Sequence, residues 1–238
     1  LTTYGLIKTE MYRRFCPFSL LIPIIVRKRA GAFYDFDYRR PAQNAARAGR
    51  SSMAKKQEYG NESITSLKGA DRVRKRPAVI FGSDGVEGCA HSIFEIVSNS
   101  IDEARDGHGD TINVTRCKDG SVIVEDFGRG MPVDWNNGEG RYNWELLFCE
   151  MYAGGKYGEG EDNYEFSLGL NGLGLCATQY ASAWMTADIY RDGYHYHLDF
   201  KKGENVGGLQ KEPYKGRRTG SIIHWKPDDE VFTDIDVP

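Results

Sequence analysis

Three blocks follow one another between residues 94 and 176, and their order restricts this chain more than any other feature. The first, Phe94-Glu95-Ile96-Val97-Ser98-Asn99-Ser100-Ile101-Asp102-Glu103-Ala104, has helical periodicity. A β-rich run then ends Glu125-Asp126-Phe127-Gly128-Arg129-Gly130-Met131-Pro132, and a glycine-rich stretch closes on Gly169-Leu170-Asn171-Gly172-Leu173-Gly174. Within the helix, Glu95, Asn99 and Asp102 stand at i, i+4 and i+7 on one face, while Ile93, Val97 and Ala104 occupy another. Glu95 is a candidate base toward a water molecule, and the Asn99 amide oxygen is a candidate hard ligand for magnesium. Taken alone, the same pattern describes an ordinary amphipathic helix with carboxylates facing solvent. The two later blocks shift the balance toward a site.

Thr111 to Cys117 and Ser121 to Glu125 read as two strands joined through Lys118-Asp119-Gly120, where Asp-Gly is a hairpin signal. Asp126 therefore falls at a strand end. Gly128 and Gly130 leave room for a flat ring against backbone, and a carboxylate beside them can accept a hydrogen bond from an exocyclic amino group, which selects adenine over guanine. In the third block, Ala153-Gly154-Gly155-Lys156 leads through Tyr164 to the closely spaced glycines and an apolar, helix-compatible Leu175 to Ala181. Successive backbone N–H groups in such a stretch converge on phosphate oxygens, and Lys156 can neutralise phosphate charge. The three blocks together predict an ATP site. No Gly-x-x-x-x-Gly-Lys-Ser/Thr occurs, and the last block is not a dinucleotide fingerprint, so neither a P-loop nor a Rossmann site is expected.

By this order of parts, residues 59 to 236 resemble the N-terminal GHKL-type ATPase domain of the DNA gyrase B and topoisomerase IV B subunits. The marks specific to that family are Leu67-Lys68-Gly69, Val73-Arg74-Lys75-Arg76-Pro77, His91, Asn99 to Ala104, Ala153 to Lys156, and Thr219-Gly220-Ser221. The resemblance implies ATP and Mg2+ as ligands, Glu95 as general base, Asn99 on magnesium and Asp126 on the adenine amino group. It sets Lys156, Gly169, Leu170, Asn171, Gly172, Leu173 and Gly174 around the triphosphate, and Thr219 on the adenine side. Asp102, Met131, Pro132 and Tyr164 join the nucleotide site, with Arg129 at its mouth, paired with Glu103. Tyr59 and Ile64 lie in an N-terminal dimerisation arm, about residues 53–66, that reaches over the partner's nucleotide.

The activity implied is ATP-dependent clamp closure and DNA strand passage by a cytoplasmic type II topoisomerase. Its partners are a second copy, the topoisomerase A subunit in an A2B2 assembly, and double-stranded DNA. The alternative is a divergent paralogue that uses ATP binding as a conformational switch without strand passage. A histidine-kinase domain shares the pocket but not the Arg74-Lys75-Arg76-Pro77 block. Phe127 and Ser98 replace acidic residues usual in the family, and Leu168 and Asn171 replace a glycine and a histidine; base, metal ligand and adenine acceptor all remain. The family's transducer domain, which supplies a lysine for the γ-phosphate, and its metal-binding domain are expected to be absent.

The fold expected is α+β, a GHKL (Bergerat) two-layer sandwich with helices over one face of a mixed, mainly antiparallel sheet. Helices are predicted near Leu67 to Arg76, Ala90 to Arg105, Asn143 to Tyr152 and Leu173 to Ser182. Further strands are predicted near 185 to 191, 194 to 200 and 220 to 226, the first two joined at Asp192-Gly193. At 238 residues, 40% of them hydrophobic, the chain suffices for one core. The first fifty-two residues carry ten Lys/Arg against three Asp/Glu, whereas the rest is acidic. Residues 1–52 are therefore expected to be a basic extension, disordered or outside the native coding sequence, and 53–238 the ATPase domain. The apolar run from Phe15 to Val26 is too short to span a bilayer as a helix, which needs about 20 residues. Five cysteines without a Cys-x-x-Cys pair support neither a disulfide framework nor a structural zinc site. His195 and His197 alternate on one strand face, but no third ligand stands at suitable spacing.

Overall fold

The computed structural model of the protein describes residues 20–25, 67, 69–153 and 173–237. The chain divides into two units, one of Leu1–Arg27 with Lys68–Pro238 and one of Lys28–Leu67; the described strands and helices all belong to the first. Its main strands are β1 (Leu20–Ile25), β2 (Thr111–Arg116), β3 (Val122–Asp126), β6 (Ser182–Arg191), β7 (Tyr194–Lys201), β8 (Glu204–Pro213) and β9 (Gly220–Pro227), with a separate ribbon of β4 (Trp135–Asn136) and β5 (Arg141–Tyr142). The main strands form a seven-stranded sheet in the order β1-β2-β3-β9-β6-β7-β8. Every pairing among the described strands is antiparallel. The last strand in the sequence, β9, sits in the middle of the sheet between β3 and β6, and this insertion delivers the Thr219-Gly220-Ser221 segment to the end of β3.

Alternation along β6 and β7 separates the two faces of the sheet. Met185, Ala187, Ile189, Tyr196, Leu198 and Phe200 are buried, while Asp188, His195, His197 and Asp199 between them stay partly exposed. Against the buried face lie α3 (Val86–Arg105) and α5 (Gly174–Tyr180), which contribute Cys89, Ile96, Val97, Leu175, Cys176 and Ala177 to one core with Ile112, Val124, Ile223 and Trp225. Fully buried Trp225 donates its indole N–H to the Thr178 carbonyl at 2.9 Å, and Thr178 donates its hydroxyl to the Ser92 carbonyl at 3.2 Å. Strand β9, α5 and α3 are thereby tied in series, and the two-layer α+β sandwich is the fold observed.

Several elements depart from the sequence reading. The helix expected over Leu67 to Arg76 is shorter, α1 (Asp71–Arg74), and is followed by one that was not expected, α2 (Pro77–Phe81). Arg76 is at φ −145°, as the residue before a proline tends to be, and Pro77 starts the second helix, where its missing N–H costs nothing. The helix expected from Ala90 begins at Val86, and the one predicted over Asn143 to Tyr152 stops at Cys149 as α4 (Asn143–Cys149). Strand β8 was not expected, because Gly207 and Gly208 interrupt a largely exposed, charged run. It forms because β7 offers a complete edge, with a register irregularity between His197 and Asp199. Six residues of the basic extension, Leu20–Ile25, are also a strand, paired with β2. Pro23 is tolerated there because β1 has a neighbour on one side only among the described strands.

Candidate functional site

Asp126 ends β3, is 9% exposed, and is held from three directions. Its Oδ2 accepts a hydrogen bond from the Ser100 hydroxyl of α3 at 3.1 Å, and its Oδ1 accepts from the backbone N–H of Gly128 at 3.0 Å and of Ser221 at 3.1 Å. Burial raises its carboxyl above the ordinary range, a tendency that these bonds oppose and the charge of Glu103 reinforces. The approach of β9 is close enough to dictate its sequence. A Cβ on Gly220, whose φ is +115°, would lie 2.3 Å from the Asp126 carbonyl oxygen, so glycine is required there.

On α3 the residue before Ser100 is Asn99, whose Nδ2 donates to the Glu95 carbonyl at 3.0 Å. That bond commits the amide nitrogen to the helix and leaves Oδ1 as the end suited to a hard cation. A single oxygen ligand fits magnesium, which keeps several of its waters. One turn earlier, the Glu95 side chain is 24% exposed and its Oε1 accepts from the His91 Nε2 at 3.1 Å. Its other oxygen lies against the start of α5, since a Cβ built on Gly174 would fall 1.9 Å from Glu95 Oε2. The three sequence blocks thus meet around α3, the strand end at Ser100 and the glycine segment at Gly174. Asp102 is buried, 4.0 Å from the Arg105 guanidinium, so its face of α3 is covered where that of Glu95 is open.

Arg129 folds back onto α3. Its backbone N–H and Nε each donate to Glu103 Oε1 at 2.8 Å, and Nη2 donates to Oε2 at 2.9 Å. This fork holds the Glu103 carboxyl below the usual range, chiefly through the Arg129 side-chain bonds. The glycines flanking Arg129 have a reason within the fold that the sequence reading did not supply. A Cβ on Gly128 would strike the Glu103 side chain at 2.3 Å, and one on Gly130 would meet the Tyr190 carbonyl at 2.7 Å. Met131 is partly buried and donates its backbone N–H to Ser221 Oγ at 3.3 Å, while Pro132 is exposed. Thr219, Arg129, His108 and Phe127 line a surface recess of about 450 Å³, which Glu95, Asn99 and Asp126 do not line.

Leu173 directly precedes α5 and accepts the Ala177 N–H at 2.8 Å. Lys156, Tyr164, Gly169, Leu170, Asn171 and Gly172, and the arm residues Tyr59 and Ile64, lie outside the described residues. Three contacts went unread in the sequence: Ser100 and Ser221 on Asp126, and His91 on Glu95. Only the last carried a signal, its i, i+4 spacing; the other two depend on where β9 inserts.

No family model matches the chain. It is 41% identical over 180 residues, 76% of its length, to the B subunit of DNA topoisomerase 4 from Staphylococcus aureus strain MW2, and equally to that of strain Mu50. The crystal structure of the 43K ATPase domain of Thermus thermophilus gyrase B, in complex with an aminocoumarin, superposes with a TM-score of 0.56 at 32% identity, over 68% of this chain and 40% of that one. The chain belongs to the gyrase B and topoisomerase IV B family, in its GHKL-type ATPase domain. It spans 27% of the length of the topoisomerase relatives it matches.

Among the described residues, Cys89, Cys117 and Cys176 are buried and Cys149 is partly so, none in a disulfide. Burial pushes the Cys89 and Cys176 thiols up to about 12, so they are packing residues rather than nucleophiles. No described helix is long and apolar enough to cross a membrane.

Proposed function

We propose that this domain binds ATP with magnesium and hydrolyses it, driving dimer closure and DNA strand passage in a cytoplasmic type II topoisomerase together with an A subunit. The observation that carries the reading is the junction at Ser100, which joins the Asp126 carboxylate to the helix bearing Asn99 and Glu95. In this reading Asp126 accepts a hydrogen bond from the adenine 6-amino group; guanine presents an oxygen at that position, which a carboxylate repels. Asn99 holds the cation through Oδ1, and the bound magnesium would neutralise phosphate charge as the terminal bond breaks. Glu95 takes the proton from the attacking water, oriented by the bond from His91. Thr219 supports the adenine side, and Asp102, Met131 and Pro132 shape the walls. Leu173, Gly174, Lys156, Tyr164, Gly169, Leu170, Asn171 and Gly172 surround the phosphates. Tyr59 and Ile64 reach to the partner copy.

The test is ATP turnover by the whole gene product, with and without A subunit and supercoiled DNA. Glu95→Gln is expected to lower turnover by about 10²- to 10⁴-fold while leaving ATP affinity within a few-fold. Unchanged turnover rejects Glu95 as base. Stimulation of the wild type by DNA supports strand passage, whereas ATP binding indifferent to DNA and A subunit supports the alternative, a nucleotide-operated switch.

A further inference from the structure

The face of the sheet turned away from α3 and α5 carries a cluster that nucleotide chemistry does not use. Strands β6 and β7 form a hairpin turned at Asp192-Gly193, with φ of +52° and +79°. In its register Asp188 faces His197 directly and Tyr190 faces His195. Alternation puts Asp188, His195 and His197 on one side, opposite the buried Ala187, Ile189 and Leu198. The third ligand that spacing along β7 failed to offer thus comes from the neighbouring strand.

Asp188 Oδ1 lies 2.8 Å from His195 Nε2 and 2.8 Å from His197 Nδ1, and one ligand atom from each residue falls within 4.8 Å of the others. A tetrahedral zinc ion with bonds of about 2.0–2.1 Å keeps its ligand atoms about 3.3 Å apart. The two Asp188 contacts need to open by about half an ångström, and the imidazole nitrogens, within 4.8 Å of each other, need to close by no more than about 1.5 Å, both within reach of side-chain rotation. Two further contacts orient it. The remaining nitrogen of His197, Nε2, is 3.2 Å from Asp199 Oδ2, the carboxylate support that metal-binding imidazoles commonly have. Tyr190 stacks on the His195 ring at 4.7 Å and 11°. All three ligand side chains are 27–28% exposed, so an ion can enter and a fourth position stays open to solvent.

We propose that Asp188, His195 and His197 form a site for a zinc-class divalent cation on the outer face of the sheet, separate from the nucleotide and its magnesium. Two imidazoles and one carboxylate suit zinc or cobalt and disfavour magnesium and calcium, which take oxygen ligands. Bound there, the ion would tie β6 to β7.

The test is metal binding by the purified protein, stripped with chelator and titrated with zinc against a chromophoric competitor near neutral pH, without nucleotide. One equivalent per chain is expected, with tetrahedral cobalt absorption when cobalt replaces zinc. His195→Ala and His197→Ala should each weaken zinc at least about tenfold, Asp199→Asn about tenfold, and His224→Gln not at all. Zinc should also raise the melting temperature of wild type but not of His195→Ala. Should His195→Ala melt below wild type in chelator, His195→Gln serves in its place. No stoichiometric zinc in the wild type, or equal zinc affinity and cobalt spectrum in the His195→Ala/His197→Ala double variant, overturns the site.

Discussion

The two ends of the candidate site, one proposed to face adenine and the other phosphate, are held in opposite ways. Asp126 is nearly buried, and its two oxygens accept three hydrogen bonds from three separate chain segments. Glu95 is a quarter exposed, takes one bond from a histidine on its own helix, and otherwise rests on a glycine. The first end is built by the sheet: β3 places the carboxylate, and β9 must run beside it for Gly220 and Ser221 to make their contacts. The second is built where two helices meet, α3 carrying Glu95 and α5 opening on Gly174. Under the proposed function, a carboxylate held from three sides suits recognition, and one with a single side-chain partner and partial exposure suits proton transfer to and from water.

The strongest way to break this contrast acts through the anchor of α5. Arg74 donates to the Tyr180 and Ser182 carbonyls at 3.2 Å each and forms a 2.7 Å ion pair with Asp228, whose side chain is 3% exposed. Arg74→Ala strands that carboxylate and should cost about 3–5 kcal/mol in chemical denaturation. The pair also has a pH signature. Burial favours the protonated form of Asp228, but the Arg74 bond and the Glu230 N–H outweigh it and lower the carboxyl below its ordinary value. The stabilisation is therefore present above the unfolded carboxylate value of about 3.9 and is lost as pH falls through the lower folded value. Wild type and Arg74→Ala should accordingly converge in stability under acid; a constant gap down to the acid limit would remove Asp228 from the account.

A smaller and more local change is Gly174→Ala. The new methyl displaces the Glu95 carboxylate, so turnover should fall about 10- to 100-fold, more than ATP affinity does. Loss of affinity without loss of turnover would separate Glu95 from the reactive end. Smallest of all is Arg129→Ala. The pair with Glu103 is ordered, but the Arg129 side chain is 51% exposed, so thermal unfolding should report less than about 1 kcal/mol.

Much of this was legible in the sequence, for reasons that differ by element. The face of α3, the hairpins at Gly120 and Asp192-Gly193, and the position of Asp126 follow from local periodicity and turn chemistry. What could not be read depends on strand order. Nothing local to Ser221 says that its N–H meets Asp126 across 95 positions, and nothing local to His195 says that its carboxylate neighbour comes from β6. The break at Arg76-Pro77 was readable from the proline alone. Strand β8 was hidden because its own residues are poor strand formers and its partner supplies the pairing.

The central claim is that, under the proposed function, Asp126 reads adenine, held by contacts from Ser100, Gly128 and Ser221 that Glu95 does not share. Equilibrium binding of ATP and GTP to wild type and Asp126→Asn tests it most directly. In the variant the remaining oxygen still accepts the Gly128 and Ser221 N–H groups, so the fold should persist. ATP affinity should drop about 10- to 100-fold, erasing the wild-type preference over GTP. Equal binding of both nucleotides by the wild type, or an undiminished preference for ATP in a folded Asp126→Asn, would contradict it.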